Sequence, residues 1–278
     1  MYISINQNFV KEECATFSIM PWQLKTQGNI LTEIIRANGA VPILIDKHFE
    51  LIKQNAELLK FNLPGYFTPD FLSTQIKGLL TRNKLFQAAN AQLTVVRNVE
   101  SDDTEIIITS QFAGTGIYEQ NAKGLLIDIY NDAFVTVHRP SQLDQHCQLA
   151  NVMAKIAARK KNLDDMLLMA DQGFVVSATD SIFFAIQKGK IMTPPLELGV
   201  HRDIMREVII EAAKSCKYQI DSEAFIMSED LNEVDEIFLG STEKGLQWVS
   251  GLKKHRYLHK ESKKLNDSVN NILFSPKR

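Results

Sequence analysis

The chain has 278 residues, 45% hydrophobic and 23% charged, a composition that gives a folded protein enough apolar side chains for one large or two ordinary domains. Its 31 Lys and Arg against 33 Asp and Glu leave a formal net charge of -2, which lacks the basic excess of a general nucleic-acid binder. No apolar run reaches the roughly 18 residues that cross a bilayer, and Met1 to Val10 has no apolar signal core. The expectation is a cytoplasmic protein with neither nucleic acid nor membrane as partner. Cys14, Cys147 and Cys216 are widely spaced and form no CxxC pair, which fits a reducing compartment and small, buried or half-buried thiols rather than a disulfide framework or a zinc site.

Tyr2 to Ile5 and Val41 to Ile45 read as short strands, the second announced by the turn pair Asn38-Gly39. Phe49, Ile52, Ala56 and Leu59/Leu60 recur at helical spacing over Asp46 to Phe61, with Asp46 as the N-cap. Thr68-Pro69-Asp70 starts a second helix over Phe71 to Asn83. Gln92 to Arg97 and Ile106 to Thr109 are strands rich in β-branched residues. The polar, Gly-containing stretch 114–123 reads as a linker, giving an N-terminal α/β domain over 1–113 and a C-terminal one over 124–278.

In the second half, Leu125 to Ile129 and Phe134 to Val137 are strand-like, and Leu149 to Lys160 is a helix. Asp164 to Ala170 and Gly173 to Ile186 alternate strand and turn signals, and Lys188-Gly189 turns into Ile191 and Met192. Arg202 to Ser215 is an amphipathic helix with Ile204, Val208 and Ala212 on one side. Phe238-Leu239 ends a strand before a Gly-Ser-Thr turn, and the basic segment Lys253 to Lys264 reads as the solvated face of a terminal helix.

Several segments carry more than periodicity. In order they are Thr32-Glu33-Ile34-Ile35-Arg36 with Asn38-Gly39, Asp46-Lys47-His48-Phe49, Leu93-Thr94-Val95-Val96-Arg97, Asn151-Val152-Met153-Ala154-Lys155, Gly173-Phe174-Val175, Phe184-Ala185-Ile186, Thr193-Pro194-Pro195-Leu196, Gly199-Val200 with Arg202, and Phe238-Leu239-Gly240-Ser241-Thr242. Taken together they resemble the class IV (fold type IV) pyridoxal-phosphate aminotransferases, the family of branched-chain and D-amino-acid aminotransferases and aminodeoxychorismate lyases. The resemblance implies an α/β (α+β) architecture of two domains, a cofactor cleft between them, and a homodimer whose partner helps to close each site.

That chemistry needs a lysine amine to form an imine with the cofactor and to carry a proton. In the family the lysine stands seven residues before the Asn of the Asn-Val-Met-Ala segment, which here is Asp144. The acid that keeps the pyridine nitrogen protonated is replaced by Ser177, and the Asn that follows it by Ile182; Asp180 is a nearby carboxylate at a different position. The phosphate-binding Arg is replaced by Leu51 and the phosphate-binding Thr by His201, whereas Ser241 and Thr242 keep their residue types. By the resemblance Arg97 meets a substrate carboxylate; by residue chemistry alone it makes a strand-end salt bridge. His201 either binds an anion with Arg202 at a helix start or is an exposed helix-start residue. His48 packs or caps rather than catalyses. The nearest lysine, Lys155, lies eleven residues on from Asp144, or roughly 16 Å along a helix.

These positions predict a class IV aminotransferase-like homodimer without covalent pyridoxal-phosphate catalysis and with no cofactor or metal, its cleft kept for a small anionic or amino-acid-like ligand. The alternatives are an active aminotransferase or 4-amino-4-deoxychorismate lyase, and a non-catalytic interaction dimer.

Overall fold

Leu31, Ile35 and Ala37 alternate with less buried residues along one strand, the period of two that puts one face of a sheet in a core. The computed structural model, which describes residues 1–15, 30–97, 102–114, 116–135 and 149–275, divides into two units, Met1–Ile117 and Tyr118–Arg278. In the first unit the elements are β1 (Tyr2–Ile5), β2 (Asn8–Lys11), β3 (Ile30–Asn38), β4 (Val41–Pro42), α1 (Ile45–Leu58), α2 (Pro69–Arg82), β5 (Ala88–Arg97) and β6 (Thr104–Phe112). The strands form an antiparallel sheet in the order β2-β1-β6-β5-β3-β4. Ile52 and Ala56 of α1 and Leu72, Ile76, Leu79 and Leu80 of α2 close over Leu31, Ile35, Leu93, Val95, Ile106 and Ile108 of that sheet.

The start of α2 is as expected: the Thr68 side chain accepts the Phe71 N–H at 3.1 Å, with Pro69 in the first turn. The start of α1 is not. Its N-cap is Leu44, in the left-handed region at φ 53°, and Asp46 lies inside the first turn, where its charge still favours the helix N-terminus. Strand β4 stops at Pro42; the Ile43 N–H still donates to the Arg36 carbonyl at 2.8 Å, and the left-handed Leu44 then turns the chain into α1. Strand β5 begins at Ala88, earlier than expected, because Ala88 to Ala91 have low strand propensity and are held by pairing to β3 and, from Ala89 on, to β6.

The second unit contains β7 (Leu125–Ile129), α3 (Leu149–Lys160), β8 (Asp165–Met169), β9 (Val175–Ala178), β10 (Ile182–Gln187), β11 (Lys190–Met192), α4 (Ile204–Ser215), β12 (Gln219–Asp221), β13 (Glu236–Ser241), β14 (Gly245–Leu252), β15 (His255–Arg256) and α5 (Glu261–Phe274). Its mixed sheet runs β12-β11-β10-β13-β14-β7-β8-β9, with β15 beside β14, and β9 also pairs with β10. The strands from β10 round to β9 therefore close on themselves, and the closing pair is Ser177 with Ile182. Phe183, Ala185, Ile237, Leu239, Val249, Ile127 and Leu167 pack together in one core. On the opposite side Phe184 and Phe238 stack at 5.0 Å, and Gly240 leaves room for α4: a Cβ there would meet Ile209 Cδ1 at 2.5 Å.

Several expectations change here. The boundary between the units falls at Ile117/Tyr118, but residues 118–121 are built into the second unit. Tyr118 is buried, its N–H is donated to Asn270 and its hydroxyl to the Thr242 carbonyl, and Asn121 brackets Trp248. The segment from Lys253 turns from β14 into β15 before α5 begins at Glu261, so most of it is not helical. Strand β13 continues through Gly240 and Ser241 rather than ending at Leu239. Val135 makes a single bridge to Ala170, and the rest of the expected strand over Phe134 to Val137 lies partly outside the described residues, as does Cys147. Cys14 and Cys216 are exposed, not buried, because both stand at helix ends on the surface. Among the described residues no group of acidic, His or Cys side chains has metal-site geometry, and no helix is long and apolar enough to cross a membrane.

Candidate functional site

Closure of the second unit's sheet buries Ser177 to 1% exposure, against Leu168 of β8 on one side and Ile182 of β10 on the other. The turn that follows, residues 179–181, is held from two directions. From β8, the Asp165 carboxylate accepts the Thr179 N–H at 3.1 Å and its hydroxyl at 2.7 Å, as well as the Met166 N–H. Burial pushes the Asp165 carboxyl above the usual range, against the pull of those hydrogen bonds, and the charge of Asp180 adds to the rise. From α3, the buried Asn151 amide donates to the Thr179 carbonyl, and Lys155 Nζ lies 2.7 Å from Asp180 Oδ1. Lys155, the lysine nearest in sequence to Asp144, and Asp180, the carboxylate nearest in sequence to Ser177, are thus paired with each other.

A second cluster joins the start of α4 to the end of β13. The helix begins at Ile204 with Asp203 as N-cap, so His201 and Arg202 precede the helix and do not open it. Asp203 Oδ1 accepts the Met205 N–H at 2.7 Å and the Thr242 hydroxyl at 2.5 Å, and Oδ2 accepts the Thr242 N–H at 2.9 Å. The Ser241 hydroxyl oxygen accepts the Lys244 N–H at 3.2 Å. Ser241 and Thr242 are both buried. His201 is half-buried, and its Nδ1 is fully buried with no hydrogen-bond partner among the described residues.

In the first unit, Leu51 is a buried side chain of α1. One turn earlier His48, 1% exposed, places Nδ1 2.6 Å from Glu33 Oε1, so it is a packed, paired side chain as expected. Arg97 lies at the end of β5, where its guanidinium donates to the Leu59 carbonyl at 2.9 Å and the Lys60 carbonyl at 3.1 Å and stacks 4.8 Å above the Phe61 ring. These contacts tie it to the C-terminus of α1, where a cation is favoured. Asp144 lies outside the described residues.

Two residues of these clusters went unread in the sequence. Asp203 had a signal, an N-cap acid directly before Ile204, hidden by placing the helix start at Arg202. Asp165 had none, because a lone acid at a strand start is ordinary until the turn at Thr179 comes back to it.

With this geometry in hand, the comparison with known proteins defines the class. Residues 31–252 match the family model for amino-transferase class IV, and the chain belongs to that family. It is 26% identical over 257 residues to the "Putative branched-chain-amino-acid aminotransferase" of Methanocaldococcus jannaschii, covering 87% of this chain and 84% of the relative. Its fold is that of the branched-chain aminotransferase of Thermoproteus uzoniensis with norvaline, at TM-score 0.85 and 20% identity over 98% of this chain and 94% of the other. It is also similar to the T.th. branched-chain amino acid aminotransferase complexed with N-(5'-phosphopyridoxyl)-L-glutamate, at TM-score 0.81 and 18% identity over 97% and 93% of the two chains. The two-domain α/β architecture of fold type IV is thereby established.

One expectation is overturned. The sequence departures suggested a chain that does without a cofactor, yet its structural neighbours include a phosphopyridoxyl complex, and no contact among the described residues shows that binding has been lost. Of the positions that the resemblance gives to the phosphate, Ser241 keeps a hydroxyl proton to donate, which suits an anionic group, while the Nδ1 of His201 is buried without a partner among the described residues. The positions for the chemistry differ: Ser177 is a neutral hydroxyl, and no lysine occurs anywhere from Gly124 to Ala154.

Proposed function

We propose that this chain is a binding member of the class IV aminotransferase family, which holds pyridoxal phosphate, or a ligand of that shape and charge, without a covalent bond and without transaminating. The observation that carries this reading is the absence of any lysine between Gly124 and Ala154, the stretch that contains Asp144. A shift of the alignment by several residues in either direction still finds no amine.

When bound, the cofactor supplies an electrophilic carbon and an electron-withdrawing ring. Ser241 and His201 are the side chains that would hold its phosphate, with Thr242 offering only lone pairs, since its hydroxyl proton is engaged by Asp203. Ser177 can donate or accept one hydrogen bond but cannot keep a proton on a pyridine nitrogen as a carboxylate does. Asp180 is paired with Lys155, which favours its use as a tether of the 179–181 turn.

Homodimerisation belongs to the same proposal. Leu149, Val152, Met153 and Ile156 are all exposed, and their spacing makes them one apolar stripe along α3. Such a stripe on a folded chain is suited to burial against a second copy.

Incubation of the protein with pyridoxal phosphate, a panel of amino donors and a keto acid acceptor tests the reading. The expected result is binding without amino-group transfer or pyruvate release. Turnover that depends on the added cofactor would refute it.

A further inference from the structure

We infer that His259 is a pH-sensitive latch. As a neutral imidazole it holds the segment that opens the second unit, Tyr118 to Asn121, against β14 and α5, and it lets go when its second ring nitrogen takes a proton.

The ring is held on its face and at its edge. It stacks on the Trp248 indole of β14, with 4.3 Å between centroids and 4° between planes, and its Nε2 lies 2.7 Å from Gln120 Oε1. The tautomer follows from the Gln120 amide. Its Nε2 donates to the Ser262 carbonyl at 3.1 Å, and a carbonyl can only accept, so Oε1 is the atom turned to the ring. An amide oxygen also only accepts. The neutral ring therefore carries its proton on Nε2, and Nδ1 is the atom left to titrate. The other contacts of the segment do not ionise near neutral pH. The Tyr118 N–H is donated to the Asn270 side chain, and the Asn266 and Asn270 amides donate to the Tyr118 carbonyl. Trp248 donates its backbone N–H to Asn121 Oδ1 and its indole N–H to the Asn121 carbonyl at 2.7 Å.

Charging the ring in place is costly. Burial pushes the imidazole below the usual histidine range; the Glu236 carboxylate of β13 pulls the other way, and Lys263 of α5 adds to the fall. Glu236 is a weak counter-ion here, because its oxygens already accept the N–H groups of Lys260, Glu261 and Ser262 and the Ser262 hydroxyl, the positive end of α5. The face of Trp248 attracts a cation. The remaining charged neighbours are Lys260 and Glu261, which follow the ring in the chain, and Glu119, beside Gln120. Glu261 is engaged by Tyr218 and Lys264. His259 stands ahead of α5, which begins at Glu261, so the ring can swing into water without unwinding the helix. Water is where an imidazolium costs least, and reaching it breaks the contacts with Gln120 and Trp248. The latch is complete above the ordinary histidine pKa and is lost as pH falls through the lower folded-state value.

Hydrogen exchange of the Trp248 indole N–H and the Tyr118 amide, each set against its unprotected rate at the same pH, follows the latch in the intact protein from pH 8 to pH 5. His259→Phe keeps an aromatic ring for Trp248 and can neither ionise nor bond Gln120. At pH 8 it should speed both exchanges about fivefold, the size of one hydrogen bond. Toward pH 5 the wild type should lose protection until the two proteins meet, while the amides of β13 keep theirs. Nitrogen chemical shifts of the neutral His259 ring should place the proton on Nε2. If His259→Phe does not fold, His259→Gln, which also cannot ionise, replaces it, and its protection should not change with pH. A difference between wild type and His259→Phe that is the same at every pH would make His259 a fixed strut and overturn the inference. So would no difference at pH 8, a neutral ring protonated at Nδ1, or equal loss of protection in β13.

Discussion

Lys155 Nζ lies 2.7 Å from Asp180 Oδ1. The amine nearest in sequence to Asp144 and the carboxylate nearest to Ser177 are thus neutralised by each other, and the 179–181 turn is fixed to α3 by an ion pair as well as by the Asn151 amide. Both side chains keep some exposure, 32% and 24%, so the pair is screened by solvent and contributes no more than about 1 kcal/mol. Lys155→Met should lower stability by less than that amount in chemical denaturation and leave cofactor binding unchanged. Loss of binding in this variant would show that Lys155 takes part in the site.

The buried carboxyl of Asp165 makes the stability of the second unit depend on pH. Its folded-state pKa is raised by burial above the ordinary carboxylate value, so its favourable contribution is complete below the unfolded pKa and is lost as pH rises through the folded pKa. Asp165→Asn keeps an oxygen to accept the Thr179 and Met166 hydrogen bonds and cannot ionise. Denaturant midpoints from pH 4 to pH 8 should show the variant gaining on the wild type as pH rises. A gap that narrows with pH would contradict the burial argument.

Glu236 caps a helix from a distance in sequence. Its buried carboxylate on β13 accepts the N–H groups of Lys260, Glu261 and Ser262 and the Ser262 hydroxyl, all at the start of α5. Glu236→Ala leaves those donors without an acceptor and should cost about 3 kcal/mol. Hydrogen exchange should quicken first in the opening turn of α5, and uniform loss of protection across the unit would point to a different role.

The α3 stripe gives an assembly test. Val152→Glu together with Ile156→Glu places two charges on exposed positions whose buried neighbours are Asn151, Ala154 and Ala158, so the fold should tolerate them. Sedimentation velocity should report a dimer for the wild type and a monomer for the double variant at an unchanged melting temperature. A wild type that sediments as a monomer would remove the dimer from the proposal.

How far the sequence could be read depended on how local each signal was. Helix α2 follows from its start signal and α3 from its content of Ala, Lys and Arg, each within about a dozen residues, and their bounds came close to the observed ones. The collinear segments from Thr32 to Thr242 carried the family itself. What stayed hidden needed contacts between distant parts of the chain. Ala88 to Ala91 become strand only through their two neighbours, and Tyr118 leaves the apparent linker only because α5 and Thr242 receive it. The same holds for the candidate site: the residue types at Leu51, Ser177 and His201 can be read against the resemblance from sequence, but not the pairing of Asp180 with Lys155 or the bridge from Asp203 to Thr242. The expected loss of the cofactor went too far for this reason, since residue identities at single positions say little about the donors that remain around them.

Borohydride reduction of the protein mixed with pyridoxal phosphate, followed by intact mass and absorbance, tests non-covalent binding most directly. Cofactor should be retained on equilibrium dialysis, with no stoichiometric mass increase and no band from a lysine-bound cofactor. A single adduct on one lysine at full occupancy would contradict this and return the chain to the active enzymes of its family.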